Sequence, residues 1–388
     1  MNSTERRKQR YLRRKEKRIN KRKEVVKNIG TAEDVFQFHD MFNYGKDCCK
    51  GVRWKQSVNN FERHLFSRTA VNRARALSDN YKPKKLSCFT IHERGKVREI
   101  EAPHIDDRQI QKTLTKKVLL PLYKDRLIYD NGASLKGKGL KFSQEIFDKA
   151  IRKHIKQYGM TGWVIIADDK KFFPNADRTI VKEKHKEIED IRLRRILDTV
   201  VDIGKGDKGL PIGVEPSQIE MVSLPSPIDS YMSCQMGLKG FGHYMDDYHI
   251  LVPPDKNPKE ILNIFIEKSK EYNIEVNINK THIVPFGKAF KFCKRKREIK
   301  NGKIFVTGNR DSRKRARRKI KMFARSTLSW EDVYCSVNSM VAYMDMSSGH
   351  NAVIKLKRLF YGIFGFPCDK VEEFRKRDQN GVCMPQAV

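Results

Sequence analysis

The chain has 388 residues, 39% of them hydrophobic, which is enough for two or three packed modules and too many for a chain disordered throughout. Lys and Arg number 81 against 47 Asp and Glu, a formal net charge of +34, which points to a partner with a phosphate backbone. No apolar run is long enough to span a bilayer, and the N-terminus is charged where a secretory signal needs an apolar stretch, so the expectation is a soluble cytoplasmic protein with no membrane partner. The eight cysteines form no C-x-x-C pair and are expected as reduced thiols.

In chain order, residues 1–27 carry thirteen Lys or Arg against Glu5, Glu16 and Glu24 with no Gly or Pro, a segment expected to be helical on RNA. A polar helical region follows to about Tyr81. Residues 88–91 and 97–100 read as two short strands around a turn at Arg94-Gly95. Residues 109–123 read as a helix stopped near Pro121, and residues 142–158 as another. The β-branched run at residues 163–167 predicts a buried strand. One charged helix is expected over residues 177–203, ending at Gly204, and a buried one over residues 218–236. Two strand-like runs flank an acidic pair between Gly240 and Val252, and residues 257–272 form an amphipathic helix. After Thr307 the chain is basic and helical.

Two places supply carboxylates on rigid neighbouring elements. Asp168 directly follows the predicted strand, and Asp246-Asp247 sits at the tip of a predicted hairpin. Two or three such carboxylates suit Mg²⁺, a hard cation that takes oxygen ligands, and a pair of ions 3.5–4 Å apart is the usual device for in-line displacement at phosphorus, at roughly that spacing. An Asp pair in a turn is also ordinary turn chemistry, so the ordered companions decide.

Those companions resemble the motifs of reverse transcriptases of the bacterial retron and group II intron type. Asp168-Asp169-Lys170-Lys171-Phe172-Phe173-Pro174 resembles their first catalytic motif, Gly209 to Gln218 the second, Tyr244-Met245-Asp246-Asp247 the third and Asn277-Ile278-Asn279-Lys280-Thr281 the fourth. Phe290-Lys291-Phe292-Cys293 stands where the primer-grip hairpin belongs, and Lys96, Arg98, Pro103, Asp107-Arg108 and Gln111 match the fingers motifs. The resemblance implies an α+β right-hand polymerase: a basic N-terminal helical extension (1–81), fingers (82–160), a palm with antiparallel sheet and primer grip (161–306), and a helical basic thumb (307–388).

It also implies roles. Asp168 and Asp246 hold two Mg²⁺ ions, with Mn²⁺ as a substitute, and Asp247 supports them. Asp169 competes with Asp168, but the five-residue spacing to Phe173 favours Asp168. Phe173 presses where a 2′-hydroxyl would lie, while Phe172 is a core aromatic. Lys96 and Arg98 grip the triphosphate, and Lys280 protonates the departing pyrophosphate. Gly213 admits the templating pair beside Ile212 and Gln218. Tyr244, Met245, Phe290 and Phe292 contact primer or template, and the basic hairpin residues Lys291, Lys294, Arg295, Lys296 and Arg297 suit a structured RNA.

The implied activity is RNA-directed DNA polymerisation from dNTPs, with an RNA template, often a dedicated noncoding RNA, and a DNA primer or a protein hydroxyl. An accessory protein or a homo-oligomer is compatible with this reading. Ile212 stands where most of the family carries Gln, and Ser217-Gln218 replaces Ser-Pro. The Ser-Gln ending resembles reverse transcriptases of diversity-generating retroelements and of prophage or antiphage-defence lineages, and altered fidelity is expected from Ile212. Antiphage defence is favoured over mutagenic diversity generation. A non-catalytic RNA-binding scaffold is the alternative of another class. An RNA-dependent RNA polymerase is disfavoured by Tyr244 and Phe173. No acidic cluster after Thr307 suggests an RNase H.

Overall fold

The computed structural model describes residues 3–93, 96–308, 310–345 and 350–368. The expected turn at Arg94-Gly95, the side chain of Lys96 and Cys383 lie outside the described residues. Among the described residues, Cys48, Cys49, Cys88, Cys234, Cys293 and Cys335 are free thiols.

The basic N-terminal segment forms helix α1 (Ser3–Ile29), which leads through a Thr31 capping box into α2 (Ala32–Val35). Helices α3 (Phe38–Cys49), α4 (Gln56–Arg63) and α5 (Leu65–Leu77) follow. Strands β1 (Ser87–Glu93) and β2 (Lys96–Ala102) form a separate antiparallel pair with exposed Phe89, Ile91 and Val97. Next comes α6 (Ile105–Leu114), started by His104, whose ring nitrogen accepts from Asp106 N. It continues through a wide π turn (Thr115–Leu119) into α7 (Leu120–Lys124). Pro121 therefore does not stop the helix, because the wider turn relieves the clash of its ring with the carbonyl four residues back.

These elements share one core. Val35, Phe36, Met41, Ala76 and Tyr81 pack with Ile110, Leu114, Val118 and Leu122, so the segment before residue 82 is part of the same body. Asp107, fully buried, ties the pieces together by accepting from Arg75 Nη2 at 2.7 Å, the Tyr81 hydroxyl at 3.3 Å and Lys84 N at 2.7 Å.

The central part is a four-stranded antiparallel sheet. After α8 (Leu140–Tyr158) comes β3 (Trp163–Asp168), then, after intervening helices, β4 (Phe241–Tyr244), β5 (Asp247–Val252) and β6 (His282–Pro285), in the spatial order β4-β5-β3-β6. Strand β3 reads as a continuous apolar run because both of its faces are covered. Val164 and Ile166 pack with Phe147 and Ile151 of α8 on one side, and Ile165 and Ala167 pack with Met221, Leu224, Ile228 and Phe265 on the other.

The intervening segment differs from the expected single helices. Residues 177–203 form two, α9 (Arg178–His185) and α10 (Ile191–Asp202), because Asp177 and Asp190 each cap a helix start. Asp190 also accepts from Ala32 N at 2.9 Å. The segment expected as one buried helix is α11 (Glu215–Ser223), α12 (Ser226–Ser230) and a π turn (Tyr231–Gln235), with Pro216 and Pro227 each in a first turn, where their missing N–H costs nothing. Helix α13 (Pro258–Lys270) covers the sheet.

A three-stranded meander follows: β7 (Phe290–Phe292), β8 (Arg295–Lys300) and β9 (Lys303–Thr307). Both of its turns have two residues at positive φ, Cys293 and Lys294 (45° and 65°), then Asn301 and Gly302 (48° and 70°), the geometry that matches strand twist in tight hairpins. The last part, α14 (Arg310–Phe323), α15 (Trp330–Asp345) and α16 (His350–Phe364), has its own core around Ile320, Val337, Leu356 and Phe360.

Candidate active site

The sheet register brings the predicted acidic residues to one place. Asp168, the last residue of β3, pairs with Asp247, the first of β5, and Tyr244 pairs with Asp247 across the Met245-Asp246 turn. Asp169 N donates to Asp246 O at 3.0 Å and Asn277 N to Asp168 O at 2.7 Å, so strand end, turn and fourth motif are joined through the backbone. Asp168 Oδ1 accepts from Lys280 Nζ and, at 3.5 Å, from Asn277 Nδ2. Burial, then the neighbouring Asp246 and Asp168 charges, push the Asp247 carboxyl up to about 6, with the Cys293 thiol bonded to it.

Asp169 is turned the other way. It is fully buried, its oxygens lack well-formed hydrogen bonds, and burial with the Asp246 charge raises it well above the usual carboxylate range. The Tyr248 hydroxyl is the neighbour that favours its ionised form.

Three half-buried carboxylates, two of which raise the cost of ionising the third, Asp247, are a donor set of hard oxygens suited to a divalent cation. Among the described residues no three ligand side chains stand as a finished cage. Lys280 holds Asp168 and Cys293 engages Asp247 instead.

Phe173, Ile212, Gly213 and Gln218 share one cavity of about 460 Å³. The loop carrying Ile212 and Gly213, just before α11 and its Gln218, is held from several sides. Gly209 N donates to Ala176 O at 2.8 Å and Leu210 N to Phe173 O at 2.9 Å, while Glu101 N of β2 donates to Ile212 O at 2.9 Å. Arg178 closes the loop by donating to the carbonyls of Gly204, Lys205, Gly206 and Gly209. Gly209 has φ +84°, and a Cβ there would sit 2.6 Å from Pro174 O, so no larger residue fits. At Gly213, with φ +121°, a Cβ would sit 3.0 Å from Glu101 O. Phe172 is in the core, and Phe173 packs edge-on against it at 6.1 Å. Arg98 stands outside this cavity on the exposed β1–β2 pair.

With this geometry in place, the family profile for reverse transcriptases (RNA-dependent DNA polymerases) matches residues 82–301. The chain belongs to the reverse transcriptase family. Its members are RNA-directed DNA polymerases, a class of nucleotidyltransferase that generally uses divalent metal ions. The fold is accordingly a right-hand polymerase of mixed helices and antiparallel sheets.

Among solved structures, the chain is similar to an apo telomerase from Candida tropicalis truncated from its C-terminal domain (TM-score 0.44, 14% identity, 59% of this chain and 56% of that one). It is also similar to a telomerase from Candida albicans in complex with a fragment of telomeric RNA (TM-score 0.45, 14% identity, 76% and 57%). The similarity spans somewhat over half the length of each telomerase chain. No curated protein matches the sequence.

At the β7–β8 hairpin of this reverse transcriptase, the structure differs from the sequence expectation. Phe290 and Phe292 are 3% and 1% exposed and pack against Phe147 at 5.8 and 5.1 Å, so they are core residues and do not present a face to primer or template. Arg295 and Arg297, expected to face RNA, are also fully buried. Arg297 donates to Asp148 Oδ1 at 2.7 Å and to Gln144 Oε1 at 2.5 Å, and Arg295 donates to Tyr343 O at 2.9 Å, which ties the hairpin to α15. Alternation along β7 and β8 leaves Lys291 and Lys296 exposed, and Lys294 is exposed in the turn between them. Tyr244 and Met245 are half-buried at the turn, with Tyr244 packed against the core beneath the hairpin.

Sequence reasoning missed the polar layer under the acidic turn: Asp229, His243 and Tyr248, all 1% exposed or less. The available signal was a charged residue inside an otherwise apolar stretch at Asp229, and a His in a strand otherwise read as buried.

Proposed function

We propose that the chain polymerises DNA on an RNA template, adding dNTPs to a DNA primer or to a protein hydroxyl, with a dedicated noncoding RNA as its template. One observation carries this reading: the register that sets Asp168 opposite Asp247, beside Asp246, with Phe173, in the same motif as Asp168, in the wall of a cavity. Asp168 and Asp246 would hold two Mg²⁺ ions, or Mn²⁺ in their place, with Asp247 as the supporting carboxylate. The inward-facing, buried Asp169 supports assigning the first role to Asp168. Divalent cations there would stabilise the attacking and leaving oxygens of an in-line displacement.

The new bond joins the primer 3′-oxygen to the α-phosphorus as the bond to pyrophosphate breaks. Lys280, already bonded to Asp168, is placed to donate its proton to the departing pyrophosphate. Phe173 lies against the sugar and disfavours a 2′-hydroxyl. Ile212 and Gln218 wall the base pair, and Gly213 lets it approach the backbone. Arg98, with Lys96, neutralises the triphosphate from the β1–β2 pair. The Ser217-Gln218 ending suits a prophage or antiphage-defence setting and a diversity-generating retroelement alike, and residues 219–225, which depart from the Ala-Asn-x-Tyr-Leu pattern of those retroelements, favour a cytoplasmic defence setting.

Primer extension with Mg²⁺, comparing dNTPs with NTPs on RNA and DNA templates, tests the reading. Products from dNTPs on RNA are expected. Products from NTPs alone, or none with any combination, would overturn it.

A further inference from the structure

Met245 holds φ +55°, a backbone conformation unfavourable for a residue with a Cβ, at the first position of the two-residue turn that carries Asp246. Something must hold such a turn in place. One tether is visible from the strand side, where Asp169 N donates to Asp246 O. The other comes from below, at the carbonyl of Met245 itself.

His243, fully buried, has Nδ1 3.0 Å from Met245 O and Nε2 3.0 Å from Asp229 Oδ2. A carbonyl and a carboxylate both accept, so both ring nitrogens carry hydrogen and the ring is an imidazolium paired with Asp229. The ring is stacked on Tyr248, centroids 4.8 Å apart and planes 19° apart, and Tyr248 in turn packs on Phe265 of α13 at 5.0 Å. Asp229 is 0% exposed on α12. The imidazole therefore has one fixed orientation, set by a helix, a stacked ring and a strand. A purely structural buried pair would not need to end on the strained residue of the acidic turn.

We propose that His243, anchored by Asp229, is a positioning residue that pins the Met245 carbonyl and so holds the Asp246 and Asp247 carboxylates ready for a divalent cation. This rests on reading the turn as the metal site. Removing a group that orients metal-binding residues typically costs roughly 10–100-fold in metal affinity or activity.

The test uses the full chain with primer and RNA template, in wild type, His243→Leu, the double variant His243→Leu with Asp229→Leu, and Asp246→Asn. Mn²⁺ binding is read by electron paramagnetic resonance, single-nucleotide incorporation by its kcat and KM for dNTP, and folding by thermal melting. Replacing both members of the buried pair by Leu leaves no buried charge without a partner and offers no proton to Met245 O.

The expected result for His243→Leu and for the double variant is cooperative melting, Mn²⁺ binding weakened about tenfold or more, and kcat lowered with KM for dNTP within about twofold, restored in part by excess metal. Unchanged Mn²⁺ affinity in a folded His243→Leu protein or double variant, with Asp246→Asn losing the metal, overturns the positioning role alone. Unchanged affinity in Asp246→Asn overturns the metal-site reading beneath it. If His243→Leu does not melt cooperatively, the double variant, which leaves no buried charge without a partner, decides.

Discussion

Asp247 carries a cost that its function would require. Its carboxyl, pushed up to about 6 by burial and by Asp246 and Asp168, is penalised when ionised in the metal-free protein. A raised acid destabilises the fold above its folded value, and the penalty fades as pH falls through about 6 toward the ordinary 3.8. Asp247→Asn should therefore stabilise the metal-free protein at pH 7.5 by roughly 1–3 kcal/mol while lowering polymerisation, and the gain should shrink by pH 5. Denaturant unfolding in the presence of a chelator measures both; a destabilised Asn variant at pH 7.5 would contradict the account. Asp168, Asp246 and Asp247 were legible in the sequence because their chemistry is carried by short local motifs. The burial of Phe290, Phe292, Arg295 and Arg297 was not, since it depends on Phe147, Asp148 and Tyr343, partners 48 to 149 residues away in sequence where the structure pairs them by hydrogen bonds. A basic hairpin reads as exposed until the strand alternation and the acid it buries against are both known.

At the scale of elements, helices α9, α10 and α11 meet at a buried histidine. His185 Nδ1 lies 2.7 Å from Asp198 Oδ1 and Nε2 3.0 Å from Glu220 Oε1, while the Tyr123 hydroxyl donates to Glu220 Oε2 at 2.9 Å. Burial opposes the charge on the ring, but the Glu220 carboxylate and then Asp198 outweigh it and raise the imidazole to about 9. A raised histidine contributes stability that is complete below the unfolded value of 6.5 and is lost as pH rises through about 9. Unfolding free energy should fall across that window by an amount on the order of 3 kcal/mol, and His185→Asn should flatten the decline. An equally steep decline in the variant would rule the triad out as its source. The two-helix division of residues 177–203 follows from the same region. The charged pattern suited a single helix, and only the capping by Asp177 and Asp190 marks the break. The long apolar strand β3 was legible because cover on both faces leaves a continuous β-branched run.

For the molecule as a whole, the net charge of +34 concerns association with nucleic acid more than the fold. Thirteen of the basic residues lie in residues 1–27, within or just before α1, a helix whose described residues from Arg18 to Glu24 are exposed. Deleting residues 1–27 should weaken RNA binding and flatten its dependence on salt, each lost phosphate contact removing about 0.7–0.9 from the slope of log affinity against log salt. Fluorescence anisotropy from about 50 to about 300 mM salt, roughly a sixfold span, measures this, and an unchanged slope would contradict it. The polymerase fold was legible through motif order, whereas the sharing of one core by residues 29–81 and the following helices was not, because those contacts join apolar residues with no local signature.

The most direct test of the acidic turn is single-turnover incorporation of one dNTP on an RNA template by wild type and by Asp246→Asn, both shown to melt cooperatively. The account predicts incorporation by wild type and a loss of about a thousandfold or more in the variant, on the scale of removing a principal electrostatic stabiliser of a transition state. Incorporation by Asp246→Asn within about tenfold of wild type would contradict it.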